Sequence, residues 1–177
     1  MTIVISKIIS RVRWVNCNHL LWAGMGIFFL CIFLFFSHLV TKKYQIEEIL
    51  CLALNIYHEG RGEPKPGKYA IATVTLNRVA SEDYPNSVCK VVYQRSYNQK
   101  LKRYIGGFSW TQDDIEDTPK EQKAWANAYS IAKLTYYGEY RSEELNEALF
   151  YHASYVQPYW IKNKTPVKTI GNHIFYN

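Results

Sequence analysis

Acidic side chains are missing from the first 43 residues, which hold five basic ones: Lys7, Arg11, Arg13, Lys42 and Lys43. The rest of the chain is nearly balanced, 16 Lys and Arg against 15 Asp and Glu, so the formal charge of +6 is local. It forms no basic stripe, and nucleic acid is not an expected partner. Other absences narrow the chemistry. No G-x-S-x-G elbow frames a nucleophilic serine. His58-Glu59 begins like a zinc-binding helix, but the second histidine of H-E-x-x-H would fall at position 62, which is glycine. His58, His152 and His173 are left to converge with Glu59 on zinc through the fold. Scattered histidines are more often hydrogen-bonded structure, so neither metal nor other cofactor is expected. No internal repeat or low-complexity tract divides the chain.

Between the basic flanks, Leu20 to Phe36 runs without a polar interruption, and reaches Val40 if Ser37 and His38 sit near an interface. About 20 apolar residues at ~1.5 Å each cover the ~30 Å hydrocarbon core of a bilayer. Ser37-His38-Leu39 substitutes poorly for a small-x-small cleavage site, so an uncleaved anchor is expected. The expected organisation is a short basic segment (1–19), a transmembrane signal anchor in the lipid bilayer (20–40) and one domain (44–177). The basic residues before the span outnumber those after it, which biases the N-terminus toward the cytoplasm and the domain toward the periplasm or cell wall side.

Four cysteines are present. Cys31 lies within the span and Cys17 at its edge, which leaves Cys51 and Cys89 either as a disulfide in an oxidising compartment or as two unrelated buried thiols. A bridge closing a loop of ~38 residues stabilises by roughly 3 to 4 kcal/mol in the chain-entropy model.

The residues richest in chemistry are Tyr57-His58-Glu59-Gly60-Arg61-Gly62-Glu63-Pro64. Ile46, Ile49, Leu50, Ala53, Ile56 and Tyr57 recur at spacings of three and four and predict a helix with one apolar face. Glu59 closes it on a polar flank, Gly60 and Gly62 permit a C-terminal cap, and Pro64 forbids continuation. A carboxylate there either simply ends the helix or serves as a catalytic acid, partial burial raising its pKa. Glu63 lies in the loop, where it assists Glu59 or pairs with Arg61 or a lysine; the pairing is the preferred reading.

Further on, a helix is predicted from about Lys68 to Ala80, with Asn77 and Arg78 anchoring a loop by hydrogen bonds. Residues 88–94 read equally as strand or helix. Arg95 to Gly107 is polar, tyrosine-rich and reads as a mobile loop. Thr118-Pro119-Lys120-Glu121 predicts a capping box opening a helix that runs to Gly138. The aromatic, alternating last third predicts short strands. Fifteen Tyr and five Trp exceed what a compact core needs, and rings lining a cleft suit sugar faces.

Cys51 through Pro64, Val74-Thr75-Leu76-Asn77-Arg78-Val79, Val88-Cys89-Lys90-Val91-Val92-Tyr93-Gln94, Phe108-Ser109-Trp110, Tyr151-His152-Ala153, Val156-x-Pro158-x-Trp160 and Ile170 through Tyr176 together resemble the SleB/CwlJ-like cell wall hydrolases. The resemblance spans nearly all of residues 46–176. It implies a mainly helical, lysozyme-like or lytic-transglycosylase-like fold with a few short strands, peptidoglycan glycan strands as substrate, and Glu59 as catalytic acid. It carries substrate contacts onto Tyr93, Gln94, Phe108, Ser109, Trp110, Tyr151, His152 and His173. Gly60 stands where the family has alanine, and the glutamine that usually precedes Phe-Ser-Trp is absent.

In that reading Glu59 protonates the oxygen between N-acetylmuramic acid and N-acetylglucosamine and then acts as base. Attack by the muramic C6 hydroxyl needs no second carboxylate; attack by water needs one, with Glu63, Asp113 and Asp114 as candidates. The alternatives are a glycan-binding or lysis-accessory module without turnover and a zinc-dependent amidase. An accessory protein is left open. With 15 residues between Lys43 and Glu59, even a continuous helix holds the carboxylate within ~25 Å of the membrane surface.

Overall fold

The computed structural model describes residues 2–99, 101–113 and 115–177, and for residues 2–18 and 20 the backbone alone. Its elements are α1 (Thr2–Glu59), α2 (Lys65–Ala80), α3 (Val88–Val92), β1 (Arg95–Asn98), β2 (Arg103–Gly106), α4 (Gln122–Tyr136), β3 (Phe150–Ala153), β4 (Pro166–Ile170) and β5 (His173–Tyr176), with short 3-10 turns at 109–112, 143–145 and 159–163. The chain divides into two compact units, Met1–Tyr44 and Gln45–Asn177. In the first, every side chain from Leu21 to Val40 is exposed. By length and composition α1 is apolar enough to cross a membrane. The side chains of Lys7, Arg11, Arg13 and Cys17 lie outside the described residues.

The second unit is built around α2. Residues from Tyr69 to Asn77 are buried without interruption, the signature of a helix packed on all sides. Tyr69, Ala72 and Leu76 meet Leu52, Ala53 and Ile56 of α1 and Ala128, Ile131 and Ala132 of α4 in the main core. Ala70 and Val74 meet Leu145, Ala148 and Phe175 in a second cluster. The polar residues along α2 are satisfied inside: Thr73 and Thr75 donate to carbonyls one turn back, and Asn55 donates to Thr75 Oγ1. Asn77 donates to the carbonyls of Leu145 and Ala148 and Arg78 Nε to that of Leu149, fastening the chain that leads into β3.

Several local expectations change. The buried face of α1 includes Leu52, while Ile46 and Leu50 are exposed. The helix of α2 begins at Lys65, because Pro64 and Pro66 suit a first turn that needs no backbone donors. Residues 88–92 are helical: the buried Glu48 carboxylate accepts from the Val88 and Cys89 backbone N–H groups, and Ser87 caps Lys90. Residues 95–98 and 103–106 pair as antiparallel strands where a loop was expected, with Tyr97 opposite Tyr104. The capping box does not form. Thr118 donates to Glu116 instead, and the Lys120 and Glu121 N–H groups donate to the Tyr57 hydroxyl. Cys51 and Cys89 are joined, with Cα atoms 5.2 Å apart, tying α1 to α3. The remaining strands form one antiparallel sheet in the order β3-β5-β4.

Candidate active site

The turn after α1 is closed locally. Gly60 N–H donates to the Ile56 carbonyl, and Gly62 takes the left-handed conformation, φ 82°, that glycine adopts most readily. This leaves Glu59 half-buried at the end of a packed helix. The Tyr151 hydroxyl, brought from β3, donates to Glu59 Oε2 at 3.3 Å. Burial raises the Glu59 pKa; the Tyr151 hydrogen bond and the charge of Arg78 pull against that rise. Tyr151 is itself pushed well above the ordinary tyrosine range, mainly by burial and then by the Glu59 charge, so it stays a neutral donor.

Tyr151 and Arg78 line a cleft of about 640 Å³, within the range usual for ligand sites. Gln94 and Ser96, with Ile105 and the Gly106-Gly107 pair, border it from the hairpin side, and Trp160 and Lys164 from the turn before β4. Arg78 is held over the rings of Tyr84, at 5.5 Å, and Phe108, at 5.1 Å. Asp83 also lines this cleft.

The other expected site residues fall into distinct places. Gln94 and Tyr151 line the cleft. Tyr93 and Ser109 are exposed, Tyr93 with its ring edge-on to Trp110. Phe108 and Trp110 belong to the main core; Trp110 donates to Asn55 Oδ1 and stacks on His58. His58 Nε2 donates to the Asp117 carbonyl. His152 is buried between the Ala153 carbonyl and the Tyr176 hydroxyl. Phe108, Trp110, His152 and His173, expected as substrate contacts, are buried and do not line the cleft. The three histidines do not converge, and among the described residues no group of three or more metal-ligating side chains lies together.

Among the described residues Glu63 pairs with neither Arg61 nor a lysine. Arg61 bridges to Glu121, and the buried Glu63 reaches across to the β4–β5 turn. There Oε2 accepts from the Asn172 N–H at 3.1 Å, and Oε1 lies 3.4 Å from His173 Nδ1, which has no full hydrogen bond. Gly171 makes this approach possible, since a Cβ on it would sit 2.0 Å from Glu63 Oε2. The His173 ring in turn meets Tyr151 edge-on at 5.3 Å. As a second carboxylate Glu63 is thus committed elsewhere. Asp113 is exposed and accepts from the Ile115 N–H, while Asp114 lies outside the described residues. The residues the sequence reading missed, Asp83 and Lys164, carry no motif; Arg78 was read only as a loop anchor.

A family model described as cell wall hydrolase matches residues 62–176, beginning just after Glu59. The spore cortex-lytic enzyme of Bacillus subtilis is 35% identical over 129 residues, 72% of this chain and 37% of that protein. The spore cortex-lytic enzyme of Bacillus cereus is 30% identical over 137 residues, 77% of this chain and 46% of the relative. The chain thus spans less than half the length of these two relatives. Among solved structures, the catalytic domain of the Bacillus cereus SleB protein is similar at 29% identity and a TM-score of 0.53, over 73% of this chain and 89% of that one. The catalytic domain of the germination-specific lytic transglycosylase SleB from Bacillus anthracis is similar at 28% identity and a TM-score of 0.53, over 73% and 93%.

Proposed function

Because the chain belongs to the SleB-like cell wall hydrolase family, we propose that it cleaves peptidoglycan between N-acetylmuramic acid and N-acetylglucosamine as a lytic transglycosylase, with Glu59 as general acid and then base. The observation that carries this reading is a half-buried carboxylate with a raised pKa, held by one neutral donor beside the cleft. The lysozyme-like character of the fold is part of the same reading.

Glu59 gives its proton to the glycosidic oxygen as the bond from that oxygen to muramyl C1 breaks. The resulting carboxylate takes the proton of the muramyl C6 hydroxyl as that oxygen bonds to C1. A 1,6-anhydro ring closes, Glu59 returns to its acid form, and no water or second carboxylate is consumed. Tyr151 orients the carboxyl, and Arg78 limits how far its pKa rises. Were water the nucleophile, Asp83 is the candidate base among the described residues lining the cleft, in place of Glu63 or Asp113. Residues 20–40 anchor the protein, and the domain works outside the cytoplasm, where peptidoglycan lies. The Cys51–Cys89 bridge supports that side.

The test is mass spectrometry of fragments released from purified peptidoglycan by the full chain in detergent, beside Glu59→Gln. Anhydro-muramyl products are expected, falling at least ~100-fold in the variant while its circular dichroism is retained. Reducing-end muramic acid would replace the reaction with hydrolysis and make Asp83→Asn the next variant. Free stem peptides would mean an amidase, and binding without products a glycan-binding module.

A further inference from the structure

We propose that a second groove beside the cleft, bordered by Tyr97 and Tyr159, binds sugar units of the glycan strand beyond those held at Glu59 and gives the protein a preference for long strands. This rests on the reading of the cleft as a glycan site. The groove measures about 370 Å³ and is lined by Ser96, Tyr97, Asn98, Gln99, Ile105 and Tyr159.

Its position follows from the hairpin. Ser96 and Ile105 line both the groove and the cleft, and they are partners across β1 and β2, so one rung of the hairpin is the sill between the two spaces. Consecutive residues of the 159–163 turn divide in the same way, Tyr159 lining the groove and Trp160 the cleft. A polymer lying in the cleft and leaving over that sill enters the groove.

The chemistry favours neutral sugars. Tyr97 is 54% and Tyr159 76% exposed, rings that neither core has claimed, whereas Phe108 is 3% exposed. The Tyr97 ring is held in advance by an edge-on contact with Tyr104, 5.3 Å between centroids. Flat aromatic faces suit the apolar face of a pyranose, and Asn98 and Gln99 bring amides that both donate and accept, as hydroxyl and N-acetyl groups require. Among the described residues no charged side chain lines the groove; Arg78, Asp83 and Lys164 all line the cleft. The described lining offers a sugar both stacking faces and hydrogen bonds.

The experiment is calorimetric binding of peptide-free glycan oligosaccharides of four and eight sugars to the full chain carrying Glu59→Gln, in detergent. The longer oligosaccharide is expected to bind more tightly. Tyr97→Leu or Tyr159→Leu should each weaken its binding roughly 3- to 10-fold and shrink the length preference, and Phe at either position should restore it. Equal affinity for the two lengths in the parent would overturn the proposal, as would leucine variants that keep both the parent's melting temperature and its length preference. Length-dependent binding that falls in the leucine variants, in a protein that releases no fragments from peptidoglycan, would remove the catalytic reading and leave the groove standing.

Discussion

Glu59 keeps its carboxyl half-buried with one hydrogen-bond donor, so ionising it is harder in the folded chain than in the unfolded one. A carboxyl whose folded pKa is raised above its ordinary 4.5 contributes stability that is fully present below that value. The contribution is lost as pH rises through the folded value. Glu59→Gln keeps the shape and never ionises. Its melting temperature should match that of the wild type near pH 4 and exceed it by about 2–4 °C at pH 8. Parallel melting curves across that range would mean that Glu59 is hydrated in the folded state. Tyr151, 92 residues further along, supplies the hydrogen bond that limits the effect. The end of a periodic helix made Glu59 a candidate, either as a simple helix end or as an acid, while Tyr151 was reached only through the family resemblance. Phe108 and Trp110 are buried in the core, a place the sequence did not indicate, because an aromatic ring suits a sugar face and a core equally well and composition cannot separate the two.

The helices were legible where apolar periodicity ran for several turns, as in residues 46–59 and 68–80. The hairpin was not. Both faces of β1 and β2 are largely exposed, so no alternation of burial marks the strands, and cross-strand pairs such as Tyr97–Tyr104 can be seen only in three dimensions. The start of α4 shows a local motif overridden by a distant partner. Thr118-Pro119-Lys120-Glu121 has the residues of a capping box, yet the Tyr57 hydroxyl from α1 accepts the N–H groups of Lys120 and Glu121. Tyr57→Phe keeps the ring against His58 and Trp125 and removes that acceptor, at an expected cost of about 1 kcal/mol. Thr118→Ala, by contrast, should stay within about 0.5 kcal/mol of wild type. Denaturant titration of the two variants checks this, and the reverse ranking would restore the capping box.

For the whole molecule, the charge asymmetry and the exposed apolar surface of Leu21 to Val40 bear on where the protein resides. On the proposed anchoring by residues 20–40, the full chain should sediment with membranes and resist alkaline carbonate, and deletion of residues 2–40 should shift it to the soluble fraction; recovery in the carbonate wash would argue against an anchor. The contact between Glu63 and the Asn172 backbone also sets an order of events during synthesis. Its partners are 109 residues apart, and Tyr151 too follows Glu59 at a long distance. A chain made from its N-terminus presents Glu59 early, on a helix that local bonds alone can form, while the groups that orient it have yet to be translated. Closing so long a loop is slow and entropically costly, so these contacts form late. On the role proposed for Glu59, the growing chain carries an unarmed glutamate until β3 and the turn after β4 have been made.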